Sequence, residues 1–208
     1  MCVGRNYLDH ARELNNPVPD QPILFIKPQS SMSFMDGEII IPANLGDCHH
    51  ELELSILIGQ PLTNANESQA LSAIAGIGLG LDLTLRDLQN TLKEKRHPWE
   101  RAKAFDGACP LSSFVSADDI DLQQLGLELV VNGQIRQLGS TENMLFPVLS
   151  LIKTISESFS LLPGDIVLTG TPAGVGALND GDTLKASLTK HDGVVLVEVN
   201  TRVVSQRG

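Results

Sequence analysis

Aromatic and basic residues are scarce in this sequence, and both shortages narrow the choice of partners. Phe, Trp and Tyr make up 4% of the 208 residues, too few for the stacking platforms that bind single-stranded nucleic acids. Lys and Arg number 15 against 25 Asp and Glu, which gives a formal net charge of −10. Such a charge repels nucleic acids and anionic membrane surfaces, so we expect neither as a partner.

Long apolar runs are missing as well. No stretch approaches the roughly 20 consecutive apolar residues that a membrane helix needs. No basic segment followed by an apolar run precedes the first motif, so we expect no secretory signal and a cytoplasmic protein. Cys2, Cys48 and Cys109 are odd in number and form no C-x-x-C pair, which indicates reduced thiols.

The sequence does contain an unusual acidic strand. Glu51 and Glu53 interrupt an otherwise mostly apolar run from His49 to Gly59. Since side chains alternate along a strand, the two carboxylates share a face, with their roots roughly 6.5 to 7 Å apart. They therefore either repel each other or converge on one hard divalent cation. The alternative interpretation is a solvated strand face that carries two acids.

A third carboxylate favours the metal interpretation. Asp82 ends a glycine-rich apolar strand, where a lone charge has to be paired, neutralised or bound to a metal. We therefore predict that Asp82 joins Glu51 and Glu53 as a ligand of Mg²⁺, with Mn²⁺ as the alternative ion. A zinc site in the run 48–51 is disfavoured, because adjacent residues on a strand point to opposite faces.

Turn and strand signals predict a chain rich in β-structure. The run 23–28 is typical of a buried strand, and the run 38–42 of a strand that follows a turn. Asn132-Gly133 predicts a tight hairpin turn. The glycines between Gly76 and Gly80 lie inside an apolar run, so they predict close backbone approach and not a dinucleotide-binding loop.

Helical signals are fewer. Asn66 with Gln69 and Thr84 with Asp87 are expected to cap two helices at their N-termini. Together with apolar spacing and breakers, they predict helices over the ranges 66–75, 84–95 and 147–161, and a loop that leads into a short helix within 5–15. Strands and helices do not alternate regularly, so we expect an α+β fold that is mainly β.

Six blocks of sequence carry a resemblance to a known family. They are Cys2-Val3-Gly4-Arg5-Asn6-Tyr7 with His10 and Glu13, Phe25-Ile26-Lys27-Pro28, His49-His50-Glu51-Leu52-Glu53-Leu54, Leu81-Asp82-Leu83-Thr84 with Arg86-Asp87 and Gln89, Pro98-Trp99 with Ala102-Lys103, and Leu168-Thr169-Gly170-Thr171-Pro172 with Gly174-Val175-Gly176. In order and spacing they resemble the fumarylacetoacetate hydrolase family, in particular its short acylpyruvate hydrolase and oxaloacetate decarboxylase branch.

The resemblance implies the fold and the assembly. The family's C-terminal-domain type is a mixed β-roll or sandwich with a few short helices, which would make residues 1–208 one catalytic domain. The sequence begins inside what resembles the first strand of the family, so we expect that strand to be truncated. Family members are usually homodimers, and a homodimer is the expectation here.

The resemblance also implies a chemistry. The three carboxylates would hold Mg²⁺, which chelates the carboxylate and 2-oxo group of a small anionic 2-oxo acid. Lys103 would stabilise the negative charge that develops on the enolate oxygen. His10, oriented by Glu13, would take a proton from the attacking water when a short lid closes. The implied substrate contacts are Arg5, Lys27, Arg86, Gln89 and Thr171.

Several functions fit this pattern. The one implied first is metal-dependent hydrolysis of a C–C bond in acylpyruvates, which gives pyruvate and a carboxylic acid. Oxaloacetate decarboxylation would proceed through the same enolate. One alternative is an isomerase of the 2-hydroxyhepta-2,4-diene-1,7-dioate type in aromatic catabolism, and another is a metal-bearing binding protein without catalysis. The presence of His10 and Lys103 favours catalysis.

Overall fold

Strands dominate the structure, a computed structural model that describes residues 1–14 and 17–206. The strands, in chain order, are β1 (Cys2–Val3), β2 (Leu24–Phe25), β3 (Met32–Phe34), β4 (Gly37–Pro42), β5 (Cys48–His50), β6 (Leu52–Ile58), β7 (Ile74–Leu81), β8 (Thr84–Leu85), β9 (Cys109–Leu111), β10 (Leu125–Val131), β11 (Gln134–Ser140), β12 (Ile166–Leu168), β13 (Gly176–Ala177), β14 (Thr183–Lys190) and β15 (Val195–Gln206). The predicted fold, α+β and mainly β, is confirmed.

The helices are short. They are α1 (Leu8–Glu13), α2 (Glu67–Ser72), α3 (Arg86–Glu94), α4 (Glu100–Lys103) and α5 (Val148–Ser158), with 3₁₀ turns at Gln29–Ser31 and Thr141–Asn143. On α5 the predicted apolar stripe is buried, including Leu151, Ile152 and Ile155. No helix in the described part of the chain is long and apolar enough to cross a membrane.

Three sheets organise these strands. A seven-stranded sheet has the order β2-β1-β12-β6-β7-β9-β3, a five-stranded sheet the order β11-β10-β14-β15-β4, and a three-stranded sheet the order β13-β5-β8. One hydrophobic cluster contains residues of both large sheets, among them Leu54 on β6, Leu79 on β7 and Leu188 on β14. The large sheets therefore share a core.

The central pair β6 and β7 is antiparallel and positions the acidic residues. Leu52 pairs with Leu81 and Glu53 with Gly80, so Asp82 follows directly on the strand beside them. A Cβ atom on Gly80 would lie 2.6 Å from Ser55 Oγ, which leaves room for glycine alone. The prediction that these glycines lie inside a strand and allow close approach is confirmed.

The hairpin prediction is also confirmed. β10 and β11 pair on either side of Asn132 and Gly133, which have φ angles of 51° and 75°. These positive angles are the ones that a tight two-residue turn requires.

Several predicted boundaries were wrong. The acidic strand is not continuous, because β5 ends at His50 and β6 begins at Leu52, with Glu51 at the break. Asn66 and Gln69 do form a capping box, but α2 ends at Ser72 and not near residue 75, since the chain enters β7.

Two further predictions need correction. Thr84 does not cap α3; its hydroxyl donates to Asp82 O at 2.9 Å, and Leu85 is the N-cap, without a side-chain bond. The expected buried strand 23–28 is reduced to β2, and Ile26 beyond it is 44% exposed. Helix α1 agrees with its prediction up to Glu13, while Asn15 lies outside the described residues.

The cysteines are buried and free. Burial, ahead of any neighbouring charge, raises the pKa of the Cys48 and Cys109 thiols to about 12 and also raises that of Cys2. A thiol with such a pKa stays protonated at neutral pH and is a poor nucleophile. The cysteines are therefore packing residues in this fold.

Candidate metal and acid-base site

Three carboxylates meet where β6 begins and β7 ends. One oxygen from each of Glu51, Glu53 and Asp82 lies within 4.8 Å of the other two. The residues are 4%, 1% and 1% exposed, so the alternative of a solvated strand face is wrong. Strand pairing accounts for the geometry: Asp82 N donates to Glu51 O at 2.9 Å, which fixes the two backbones side by side.

Three cations surround this cluster. Lys103, at the end of α4, places Nζ 2.8 Å from Glu51 Oε2 and 2.6 Å from Asp82 Oδ2. Arg86, the first residue of α3, pairs with the other oxygen of Glu51. Lys27 Nζ lies 2.8 Å from Asp82 Oδ1. The fold thus brings together charges from four separate regions of the sequence.

The neighbouring charges lower the pKa of Glu51 and raise the pKa of Lys103. Burial alone would raise the pKa of Glu51, but Lys103 and Arg86 outweigh it and hold that pKa well below its usual range. Burial alone would lower the pKa of Lys103, but Asp82 and Glu51 raise it above its usual value. Both groups are therefore charged at neutral pH.

Glu53 is the carboxylate whose negative charge is least balanced by neighbouring cations. It accepts a hydrogen bond from Gly170 N at 2.6 Å, and none of the ion pairs among the described residues includes it. Burial, and then the charges of Asp82 and Glu51, raise its pKa well above the usual range. A positive charge placed here would remove that penalty.

The cluster fits a hard divalent cation. All its donors are carboxylate oxygens, the ligands that Mg²⁺ and Mn²⁺ prefer. Asp82 Oδ1 is buried and accepts no well-aligned hydrogen bond within the described chain, despite the nearby Lys27 ammonium. Of the run 48–51, Glu51 alone belongs to the cluster.

His10 and Glu13, which both lie on α1, form a second part of the candidate site. His10 is buried, and its Nδ1 lies 3.4 Å from Glu13 Oε2. Gly174 N donates to both oxygens of Glu13, at 3.1 and 3.2 Å, and so connects α1 to the segment after β12. Burial lowers the pKa of His10 below its usual value, although Glu51 and Glu13 act against this. The imidazole is therefore neutral, and able to accept a proton, at pH 7.

The residues that the resemblance implied as substrate contacts fall into two groups. Arg86 and Gln89 lie on one face of α3 and are joined by a 2.7 Å hydrogen bond, as the helical spacing predicts. Arg5 reaches outward and donates to Pro17 O at 3.2 Å. Their roles stay predictions.

Lys27 and Thr171 are held inside the fold. The Lys27 ammonium donates to the carbonyls of Leu83, Lys103 and Ala108 in addition to its contact with the acidic cluster. These bonds connect Lys27 to three backbone segments, and its role as a substrate contact stays a prediction. Thr171 Oγ1 donates to Leu52 O at 2.8 Å.

Sequence reasoning missed three contributors. Gly170 and Gly174 act through their backbone N–H groups, which no side-chain motif reveals. Gln137 on β11 is completely buried and bonded to residues next to the carboxylates, but in the sequence it is one polar residue in a hairpin strand.

Fold and site together define a mainly β protein that holds a buried carboxylate cluster suited to a divalent cation. The model of the family described as "Fumarylacetoacetate (FAA) hydrolase C-terminal" matches residues 1–204. The chain belongs to this family, as the sequence blocks indicated.

Individual relatives agree with this assignment. The chain is 47% identical over 193 residues to the oxaloacetate tautomerase YcgM of Escherichia coli K12, covering 92% of this chain and 88% of the relative. A crystal structure of a fumarylacetoacetate isomerase/hydrolase from Oleispira antarctica, described as putative, has a TM-score of 0.95 at 57% identity, covering 98% and 92% of the two chains. Fumarylpyruvate hydrolase from Pseudomonas aeruginosa, solved with Mn²⁺ and pyruvate, has a TM-score of 0.89 at 34% identity, covering 99% and 88%.

Proposed function

We propose that this protein is a divalent-metal-dependent enzyme that acts on small 2-oxo acids through their enol or enolate form, with keto-enol tautomerisation of oxaloacetate as its reaction. The observation that carries the proposal is the buried cluster of Glu51, Glu53 and Asp82 with Lys103 beside it. The similarity to an oxaloacetate tautomerase favours this substrate over other 2-oxo acids.

The charge of the site supports a dianionic substrate. Three carboxylates face the cations Lys27, Arg86 and Lys103, so the ionised cluster is close to neutral. A divalent cation adds two positive charges, and it would polarise the 2-oxo group as a Lewis acid. A substrate with two carboxylates, such as oxaloacetate, restores neutrality in the buried site.

The residues of the chain have separate roles in this proposal. Lys103, fixed between Glu51 and Asp82, stabilises the oxygen that becomes negative in the enolate. Arg86 and Gln89 bind a carboxylate of the substrate.

Tautomerisation moves one proton between C3 and the 2-oxygen. Neutral His10, held by Glu13, takes the proton from one position and returns it to the other.

Hydrolysis of acylpyruvates is the second candidate. The pair of buried His10 and Glu13 favours it, because such a pair can take a proton from a water molecule that attacks the distal carbonyl. The similarity to fumarylpyruvate hydrolase supports the same reading. Both candidates use one enolate and one base, and they differ in whether water enters.

The test compares two substrates on the same preparation. Protein treated with a chelator is assayed with and without added Mg²⁺ or Mn²⁺. The decay of enol absorbance of oxaloacetate reports tautomerisation, and pyruvate release from oxaloacetate and acetylpyruvate reports decarboxylation and hydrolysis. We expect metal-dependent enol decay to be the fastest reaction. Faster pyruvate release from acetylpyruvate would assign the hydrolase instead, and no metal-dependent reaction on either substrate would refute the proposal.

A further inference from the structure

Gln137 makes every hydrogen bond that a primary amide can make. Its Oε1 accepts from Leu52 N at 3.0 Å and lies 3.0 Å from His50 Nδ1. Its Nε2 donates to Thr171 Oγ1 at 2.7 Å and to Pro172 O at 2.9 Å. An amide has two donor hydrogens and two acceptor lone pairs, so this buried group is fully satisfied.

Two of these bonds and a third from Thr171 close a ring around Leu52. Gln137 holds the N–H of Leu52, Thr171 Oγ1 holds its carbonyl at 2.8 Å, and Gln137 and Thr171 are bonded to each other. Leu52 is the residue between Glu51 and Glu53 and the first of β6, where the β5–β6 run is broken. The ring therefore fixes the backbone at the point that sets the spacing of the two carboxylates.

The same bonds hold the segment 169–174, which contacts both the carboxylate cluster and the His10–Glu13 pair. Gly170 N donates to Glu53, and Gly174 N donates to Glu13. Gln137 anchors Thr171 and Pro172, which lie between those two contacts. A Cβ atom on Gly174 would lie 1.8 Å from Arg136 O, so the segment packs directly against β11.

We infer that Gln137 is a positioning residue that fixes Glu51 and Glu53 for the divalent cation through the ring around Leu52. The inference rests on the proposed function, since it assumes that these carboxylates bind the ion. Groups that orient metal ligands typically change metal affinity about 10- to 100-fold when they are removed.

The test is calorimetric titration of chelator-treated protein with Mn²⁺ alone. Gln137→Met has a similar length and no hydrogen-bonding group, and we expect it to bind Mn²⁺ about 10- to 100-fold more weakly. The control is Thr141→Val, which removes the hydrogen-bonding group of another buried side chain. Thr141 follows directly after β11, and its hydroxyl bonds to the backbone of Leu125. The control should lose stability and keep its Mn²⁺ affinity. Equal affinity of Gln137→Met and wild type would overturn the inference.

A second pair of variants breaks the ring at its other side. Thr171→Val removes the hydroxyl, and we expect weaker Mn²⁺ binding; Thr171→Ser keeps the hydroxyl and should restore most of the affinity. A hydroxyl that served stability alone would lower the denaturation midpoint of Thr171→Val and leave its Mn²⁺ affinity unchanged. Equal Mn²⁺ affinity of Thr171→Val and wild type would contradict the ring as the source of the effect.

The wild-type protein provides a test that requires no variant. Because Gln137 Oε1 is an acceptor, His50 has to carry its proton on Nδ1, which leaves the buried Nε2 without a hydrogen. Nitrogen NMR of the imidazole should show this tautomer, and the opposite tautomer would overturn the inference. A wild-type protein that shows it but binds no Mn²⁺ would refute the proposed function instead.

Discussion

The carboxylate cluster and the His10–Glu13 pair are built on different supports. Glu53 and Asp82 are each 1% exposed and lie on or directly after paired strands in the middle of a seven-stranded sheet. His10 and Glu13 lie on α1, a helix of six residues whose N-cap makes no side-chain bond. The Glu13 side chain is 34% exposed and is connected to the rest of the site by Gly174.

The difference separates binding from proton transfer. Sheet pairing and buried ion pairs preorganise the cluster before any ion arrives, and such preorganisation lowers the cost of binding. The helix has few anchors, so its position can adjust when a substrate is present. We therefore expect changes on α1 to affect rates and to leave metal affinity unchanged, while changes on the strands affect both.

Glu53→Gln should give the largest effect. It keeps the shape of the side chain but removes a charge, so we expect loss of Mn²⁺ binding and a fall in kcat on the order of 10,000-fold, since a metal ion contributes several kcal/mol. Because Glu53 is a poorly compensated buried charge, the metal-free variant should unfold at the same denaturant concentration as wild type or at a higher one.

The control for this change is Glu128→Gln, which removes a carboxylate on β10 in the other large sheet. It should bind Mn²⁺ and turn over substrate as wild type does. If Glu53→Gln kept both properties, the cluster would not be the metal site.

His10→Ala comes second and separates the two regions directly. Without the base, kcat should fall on the order of 100- to 1,000-fold, while the affinity for Mn²⁺ stays within about twofold of wild type. The exposed neighbour Arg12, on the same helix, provides the control Arg12→Ala with near wild-type kinetics. A wild-type rate in His10→Ala would remove its role in proton transfer.

Glu13→Gln should have the smallest effect, about a tenfold loss of kcat/KM, because Glu13 orients His10 and does not itself take the proton. The pH profile sharpens this test. Burial lowers the pKa of His10 and Glu13 partly raises it, so in wild type kcat/KM should fall only as the pH drops below the usual histidine value of 6.5. In Glu13→Gln the fall should begin at still lower pH. A shift toward higher pH would contradict the assigned pairing.

The sequence contained enough to predict the carboxylate cluster. Strand alternation places Glu51 and Glu53 on one face, and the cost of a bare buried charge identifies Asp82. Local signals also located α5, the hairpin and the capping box of α2, because these depend on neighbouring residues. Where tertiary contacts decide, prediction failed: Thr84 bonds back to Asp82 and does not cap a helix.

Gln137 shows why the rest of the site stayed hidden. On β11 the apolar residues Ile135 and Leu138 are 59% and 69% exposed, whereas Gln137 is completely buried. The residue types alone suggest the opposite arrangement. The amide is buried because Leu52 N and Thr171 Oγ1 are available as partners, and they come from positions 85 and 34 residues away in sequence.

The topology of the five-stranded sheet has a consequence for the life of the newly made chain. β4 is synthesised early, but its neighbour in the sheet is β15, and Thr201 Oγ1 donates to Gly37 O across 164 residues. Until β15 emerges, the inward residues Ile39 and Ile41 have no sheet to join. Pairing between strands so far apart in sequence forms slowly, and until it forms the unpaired edge of β4 is exposed and prone to aggregation. During translation, β4 therefore stays without its sheet partner until β15 has been synthesised.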